Sequence, residues 1–175
     1  MTGRLRPRFD RSALILLGAL LAVTPGRTIA DDSKAATRSA DSILVEKAKR
    51  RLTLYSKGEP IARYEIVIGA NPVGHKAREG DKATPEGVYS IDRRKPDSMF
   101  HLALHISYPN EEDIKRAKSL GVSPGGDIMI HGTRDLPSWP RWASRLSSAI
   151  QIWRWKRVGT LGCIGLRNSD MDEIW

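Results

Sequence analysis

A mainly β domain with two or three short helices is the fold class this sequence predicts. Three observations carry that expectation. Short runs rich in Val, Ile, Leu and Tyr recur along the chain, Gly/Pro/Asn clusters separate them, and helical periodicity is confined to a few segments. At 175 residues the chain suits one domain with a short extra segment, and 40% hydrophobic content suffices for a buried core.

The first thirty residues read as a secretory signal rather than as part of that domain. Arg4, Arg6, Arg8 and Arg11 precede an apolar stretch from Ala13 to Val23, and Thr28-Ile29-Ala30 puts small residues at the cleavage positions. The stretch is shorter than the roughly 20 residues of a membrane span. An uncleaved signal anchor is the alternative, and both readings leave the folded part on the exported side, in the periplasm. No Arg-Arg pair precedes the stretch, which favours the general secretory route. Without residues 1–30, 24 basic side chains face 19 acidic ones, so the charge of +9 becomes about +5.

Residues 31–41 are polar and aperiodic, a linker, and the domain runs from 42 to 175. Ile43-Leu44-Val45 and Leu52-Thr53-Leu54-Tyr55 read as strands. Ser56 to Pro60 is a turn, and Ile61 to Gly69 completes a hairpin. Asn71 to Pro85 is a loop. Strands are expected at Gly87–Ile91, Leu102–Ile106 and Asp127–Ile130. Glu111 to Leu120 reads as a helix capped by Asn110, with acidic residues in its first turn and Gly121 ending it. A second helix is expected within Ser138–Trp155, where Trp142, Leu146, Ile150 and Trp153 recur every three or four residues. A last turn starts near Ser169.

A single cysteine excludes an intrachain disulfide and a Cys-rich zinc module. In an oxidising compartment, Cys163 is an inert buried thiol, half of an intermolecular bridge, or a nucleophile. Its frame, Gly159-Thr160-Leu161-Gly162-Cys163-Ile164-Gly165, favours the last. Glycines permit close approach of backbone to a bound group, and a tight turn can aim N–H donors at a developing oxyanion. A thiol with a pKa near 8.5 also needs a base. His131, ending an apolar strand before Gly132-Thr133, is the candidate. The alternative is a histidine that merely ends its strand. His101 and His105 share a strand face by the two-residue period, as a packed or surface pair or, with His131, as zinc ligands without familiar spacing.

These residues resemble a known family. Ile130-His131-Gly132-Thr133 together with Thr160-Leu161-Gly162-Cys163-Ile164 is similar to the L,D-transpeptidase (YkuD-type) catalytic domain. Gly80-Asp81-Lys82-Ala83-Thr84-Pro85-Glu86-Gly87-Val88-Tyr89 matches its other recurrent segment. The resemblance implies a β-sandwich-like fold and no cofactor or metal. It implies that Cys163 forms a thioester with a peptidoglycan stem tetrapeptide, releasing D-Ala, before an amine acceptor takes the acyl group. His131 would be base and then acid. Gly162, with the Cys163 amide, would supply the oxyanion hole and Thr160 would shape the pocket. Gly132 and Thr133 are further candidates for the oxyanion or substrate site, and apart from the resemblance a backbone carbonyl near one of them is a candidate to orient His131. The chain departs from the family in holding His131 and Cys163 32 positions apart, as a long-insert subgroup does. It also has Gly165 where many members have Arg, so Arg167 would supply the cation or Asn168 would bind polar groups. The family's last strand would follow Met171–Trp175, where this chain stops.

The insert, Arg134 to Val158, interleaves Trp139, Trp142, Trp153 and Trp155 with Arg and Lys. Nucleic acid is excluded as a partner by the exported compartment. Two readings stay open: a helix docking its Trp/Leu/Ile face on the domain, and a lid over the thiol that touches glycan or membrane. Three functions are weighed: transpeptidase; hydrolase of peptidoglycan-linked amides, acting on stem peptides or a wall-linked protein; and silent wall-binding domain.

Overall fold

The computed structural model describes residues 39–134 and 141–175, without the side chains of 141–145 and 147. The expected signal segment, most of the linker, Trp139 and the side chain of Trp142 lie outside the described residues. The order is β1 (Ser42–Glu46), β2 (Arg51–Ser56), β3 (Glu59–Glu65), β4 (Ile91–Ser98), β5 (His101–Ile106), α1 (Glu111–Ser119), β6 (Met129–His131), α2 (Arg141–Val158), β7 (Ile164–Gly165) and α3 (Asn168–Ile174). The domain is mainly β, as expected, with two sheets ordered β1-β2-β3 and β4-β5-β6-β7.

The β2–β3 hairpin turns through Lys57 and Gly58 at φ of 53° and 82°, the two left-handed residues that a tight turn matched to strand twist requires. The run expected to continue to Gly69 is cut at Glu65. Beyond it the chain crosses to the other sheet, where Val67 exchanges both backbone hydrogen bonds with Gly165 (2.8 Å each). Leu52, Leu54, Ile66, Ile68, Leu104, Ile106, Ile130, Ile164 and Leu166 form the core between the sheets.

The strand expected at Gly87–Ile91 begins only at Ile91 and runs through the charged segment to Ser98. That strand borders β5 alone, so its outer residues meet water and Pro96 removes no needed donor. Helix α1 is capped as expected. Asn110 accepts from the Asp113 amide and Asp113 accepts from the Asn110 amide, each at 3.0 Å.

Helix α2 corrects the docking face. Leu146, Ile150 and Trp153 are half or more exposed, whereas Ser148 and Ile152 are buried. Polar groups seat it. Gln151 bonds both the N–H (3.1 Å) and the carbonyl (2.8 Å) of Arg134, Ser148 Oγ accepts from Asn168 N–H (3.2 Å), and Lys156 pairs with Glu65 (2.6 Å). Among the described residues no helix is long and apolar enough to cross a membrane.

Candidate active site

Pairing of β6 with β7 brings the two halves of the candidate site together. The strands are parallel, with Ile130 opposite Ile164 and His131 opposite Gly165. Ile130, Ile164 and Leu166 point into the core. Alternation therefore puts His131 and Gly165 on the other face of the same sheet, and Cys163 stands one step before β7 beside the backbone of Asp127 and Met129. A separation of 32 residues closes to adjacent strands.

The turn before β7 is held by the protein itself. Thr160 Oγ1 donates to the Cys163 carbonyl (2.6 Å) and accepts from Gly162 N–H (3.1 Å). The Gly162 amide expected to stabilise an oxyanion is thus hydrogen-bonded within the turn. Gly162 sits at φ of 134°, and a Cβ there would lie 2.9 Å from the Ala83 carbonyl. Its carbonyl accepts from Thr84 Oγ1 (2.8 Å), which in turn accepts from Gly69 N–H (2.9 Å). Glycine is needed here for close approach to the 80–89 segment, a more direct reason than approach to a ligand.

Cys163 Sγ lies 3.6 Å from the Asp127 carbonyl, and the Met129 amide faces the sulfur. Burial pushes the thiol pKa up, and the nearby Asp127 carboxylate adds to that. The Met129 N–H and the Lys76 ammonium oppose it without reversing it. His131 is 6% exposed. Burial pushes its pKa down, against a hydrogen bond between Nδ1 and the Gly132 carbonyl at 2.7 Å. That carbonyl is one of the two expected to orient the ring. Both shifts favour the neutral forms, which suit a proton transfer coupled to attack rather than a standing ion pair.

Other expected residues have different partners. Thr133 donates to Asn168 Oδ1 through both its amide (2.6 Å) and its hydroxyl (2.9 Å), so the two hold the turn after His131 together. Arg167 donates to Asp170 Oδ2 at 2.9 Å. The strand parity expected to aim it at substrate ends at Gly165, and Arg167 is the residue that opens α3. In the place of the family's Arg, the space over Gly165 holds the Trp155 indole, 2.9 Å from where a Cβ would stand. His101 pairs with Asp172 (2.5 Å) and His105 with Asp92 (2.6 Å). No metal-binding group of three His, Cys, Asp or Glu occurs among the described residues.

Sequence reasoning missed Phe100, whose ring centre lies 4.7 Å from that of His131, and the backbone of Asp127 and Met129. Nothing in their local sequence marks them; the β5–β6 pairing brings Phe100 to His131, and the β6–β7 pairing brings Asp127 and Met129 to Cys163. A cleft of about 360 Å³ opens beside the turn, lined by Lys76, Glu79, Lys82, Asp127, Ile128 and Leu161 among others. A larger groove of about 810 Å³ lies between β1 and β4 and includes neither Cys163 nor His131.

The profile of the L,D-transpeptidase catalytic domain (YkuD) matches residues 40–175. A curated relative, the "Putative L,D-transpeptidase YafK" of Escherichia coli K12, is 36% identical over 139 residues. That alignment takes in 76% of this chain and 45% of the relative, so the chain spans less than half of the curated relatives it matches. Among solved structures, Bdellovibrio bacteriovorus Bd1075 is similar at 24% identity and a TM-score of 0.48, covering 78% of this chain and 46% of that one. A mutant L,D-transpeptidase of Enterococcus faecium is similar at 16% identity and 0.46, covering 77% and 44%.

Proposed function

The chain belongs to the L,D-transpeptidase (YkuD) catalytic-domain family, and from that premise we propose that it is an exported cysteine acyltransferase acting on peptidoglycan stem peptides. The observation that supports the reading is the parallel pairing of β6 and β7, in which His131 stands opposite Gly165, two residues after Cys163. Cys163 Sγ attacks the carbonyl after the third residue of a stem tetrapeptide, and its proton passes to His131. The C–N bond breaks, the proton goes to the leaving D-Ala amine, and a thioester is left on Cys163. An acceptor amine then attacks the thioester, the C–S bond breaks, and the amine's proton returns through His131 to the sulfur.

The Gly132 carbonyl on Nδ1 keeps Nε2 as the working nitrogen. Oxyanion stabilisation falls to the Cys163 amide, because Thr160 already holds that of Gly162. The cleft beside the turn presents Lys82 with Glu79 and Asp127, charges of both signs that suit a stem bearing free carboxylate and amine groups. The first thirty residues, acting as a signal peptide, would direct the domain to the periplasm.

The test is incubation with a stem tetrapeptide, read by release of D-Ala and by products linked through the new amide. Wild type releases D-Ala and Cys163→Ala does not. Equal release by both would refute the reading.

A further inference from the structure

Among its described side chains, the helix inserted between the two site residues meets His131 through the Trp155 indole. Trp155 lies on the seated face of α2, and its ring stands edge-on to that of His131, with centres 5.6 Å apart at 88°. Phe100 flanks the same imidazole at 4.7 Å and meets Trp155 at 6.2 Å. The space for the indole exists because position 165 is glycine: a Cβ would lie 2.9 Å from both Cε3 and Cζ3. Contacts made elsewhere on α2, by Ser148, Gln151 and Lys156, fix where the indole can sit.

We infer that Trp155, seated in the gap over Gly165, is a positioning residue that holds the His131 imidazole against the Gly132 carbonyl. The inference rests on the proposed role of His131. One imidazole nitrogen is tied to Gly132, and rings on two sides oppose rotation of the rest, so Nε2 has one direction available. The same rings keep water from His131, which fits its burial and lowered basicity. Ionisable groups on the packed elements have other partners: His101 has Asp172, His105 has Asp92 and Lys156 has Glu65, while the Cys163 thiol rests beside the Asp127 carbonyl until it gives its proton to the ring. The aromatic enclosure is what sets the ring's environment.

The experiment is the rate of Cys163 acylation by a carbapenem, followed by intact mass across pH, for wild type, Trp155→Ala, Trp155→Phe, Gly165→Ala and the Trp155→Ala/Gly165→Ala double variant. Trp155→Ala should move the acidic limb of the profile up by about one pH unit, as a hydrated imidazole regains basicity. It should slow acylation at neutral pH about tenfold. Gly165→Ala, which pushes the indole out, should do the same. The double variant should be no worse than Trp155→Ala alone, because both remove one contact. Trp155→Phe should recover part of the loss. A role in folding alone would lower the melting temperature and leave the limb where it was. A wild-type limb in Trp155→Ala, or in Gly165→Ala should the first variant not fold, overturns the inference. Wild type that takes no carbapenem while Cys163 stays reactive to iodoacetamide refutes the acyl-enzyme reading instead, and the positioning role falls with it.

Discussion

Asp81 carries four hydrogen bonds, from the Lys76 ammonium (2.9 Å) and the amides of Ala77, Arg78 and Ala83 (2.8, 3.0 and 3.0 Å). Burial alone would raise its pKa, but these donors outweigh it and hold the carboxyl far below the ordinary 3.8. A depressed folded-state pKa means the stabilisation is complete above the unfolded value and is lost as pH falls below about 4. Asp81→Asn should therefore cost about 3 kcal/mol at neutral pH, since it strands Lys76, which is 4% exposed. It should also flatten the acid limb of stability in urea titrations. At Thr84, the hydroxyl joins Gly69 N–H to the Gly162 carbonyl. Thr84→Val leaves both groups unpaired and should cost about 2 kcal/mol while slowing Cys163 acylation, whereas Thr84→Ser should keep most of both. These side chains belong to the segment that marked the family in the sequence. The sequence displayed the residues but not that their work is to brace the cysteine turn.

At the scale of elements, what could be read from sequence was what local chemistry decides. Lys57-Gly58 names a tight hairpin turn, and Asn110 with Asp113 names a helix start, whatever surrounds them. Strand β4 was hidden because an edge strand needs no apolar alternation. The docked face of α2 differs from the expected Trp/Leu/Ile face because both faces carry apolar residues, so periodicity alone cannot say which is buried. Two substitutions distinguish the faces in chemical denaturation. Ile150→Glu, on the exposed side, should change stability by less than about 0.5 kcal/mol. Ile152→Ala, on the seated side, should cost about 2 kcal/mol.

Across the whole domain, the site depends on contacts distant in sequence. Val67 closes the sheet edge on Gly165, Thr84 braces the turn from 78 residues away, and His131 meets its strand partner across the insert. Residue types and flanking glycines single out His131 and Cys163 as candidates; which carbonyl bonds the ring, and what fills the gap at Gly165, needed the fold. Because burial keeps the thiol protonated and the imidazole neutral, alkylation of free Cys163 by iodoacetamide should be slow at neutral pH. Its rate should climb into the alkaline range, past the ordinary thiol pKa, without a plateau near pH 7. The most direct measurement of the central claim is the intact mass of the protein during turnover of a stem tetrapeptide. One acyl group should appear on wild type, none on Cys163→Ala, and its formation should slow strongly in His131→Ala. The same mass increment on Cys163→Ala would contradict the account.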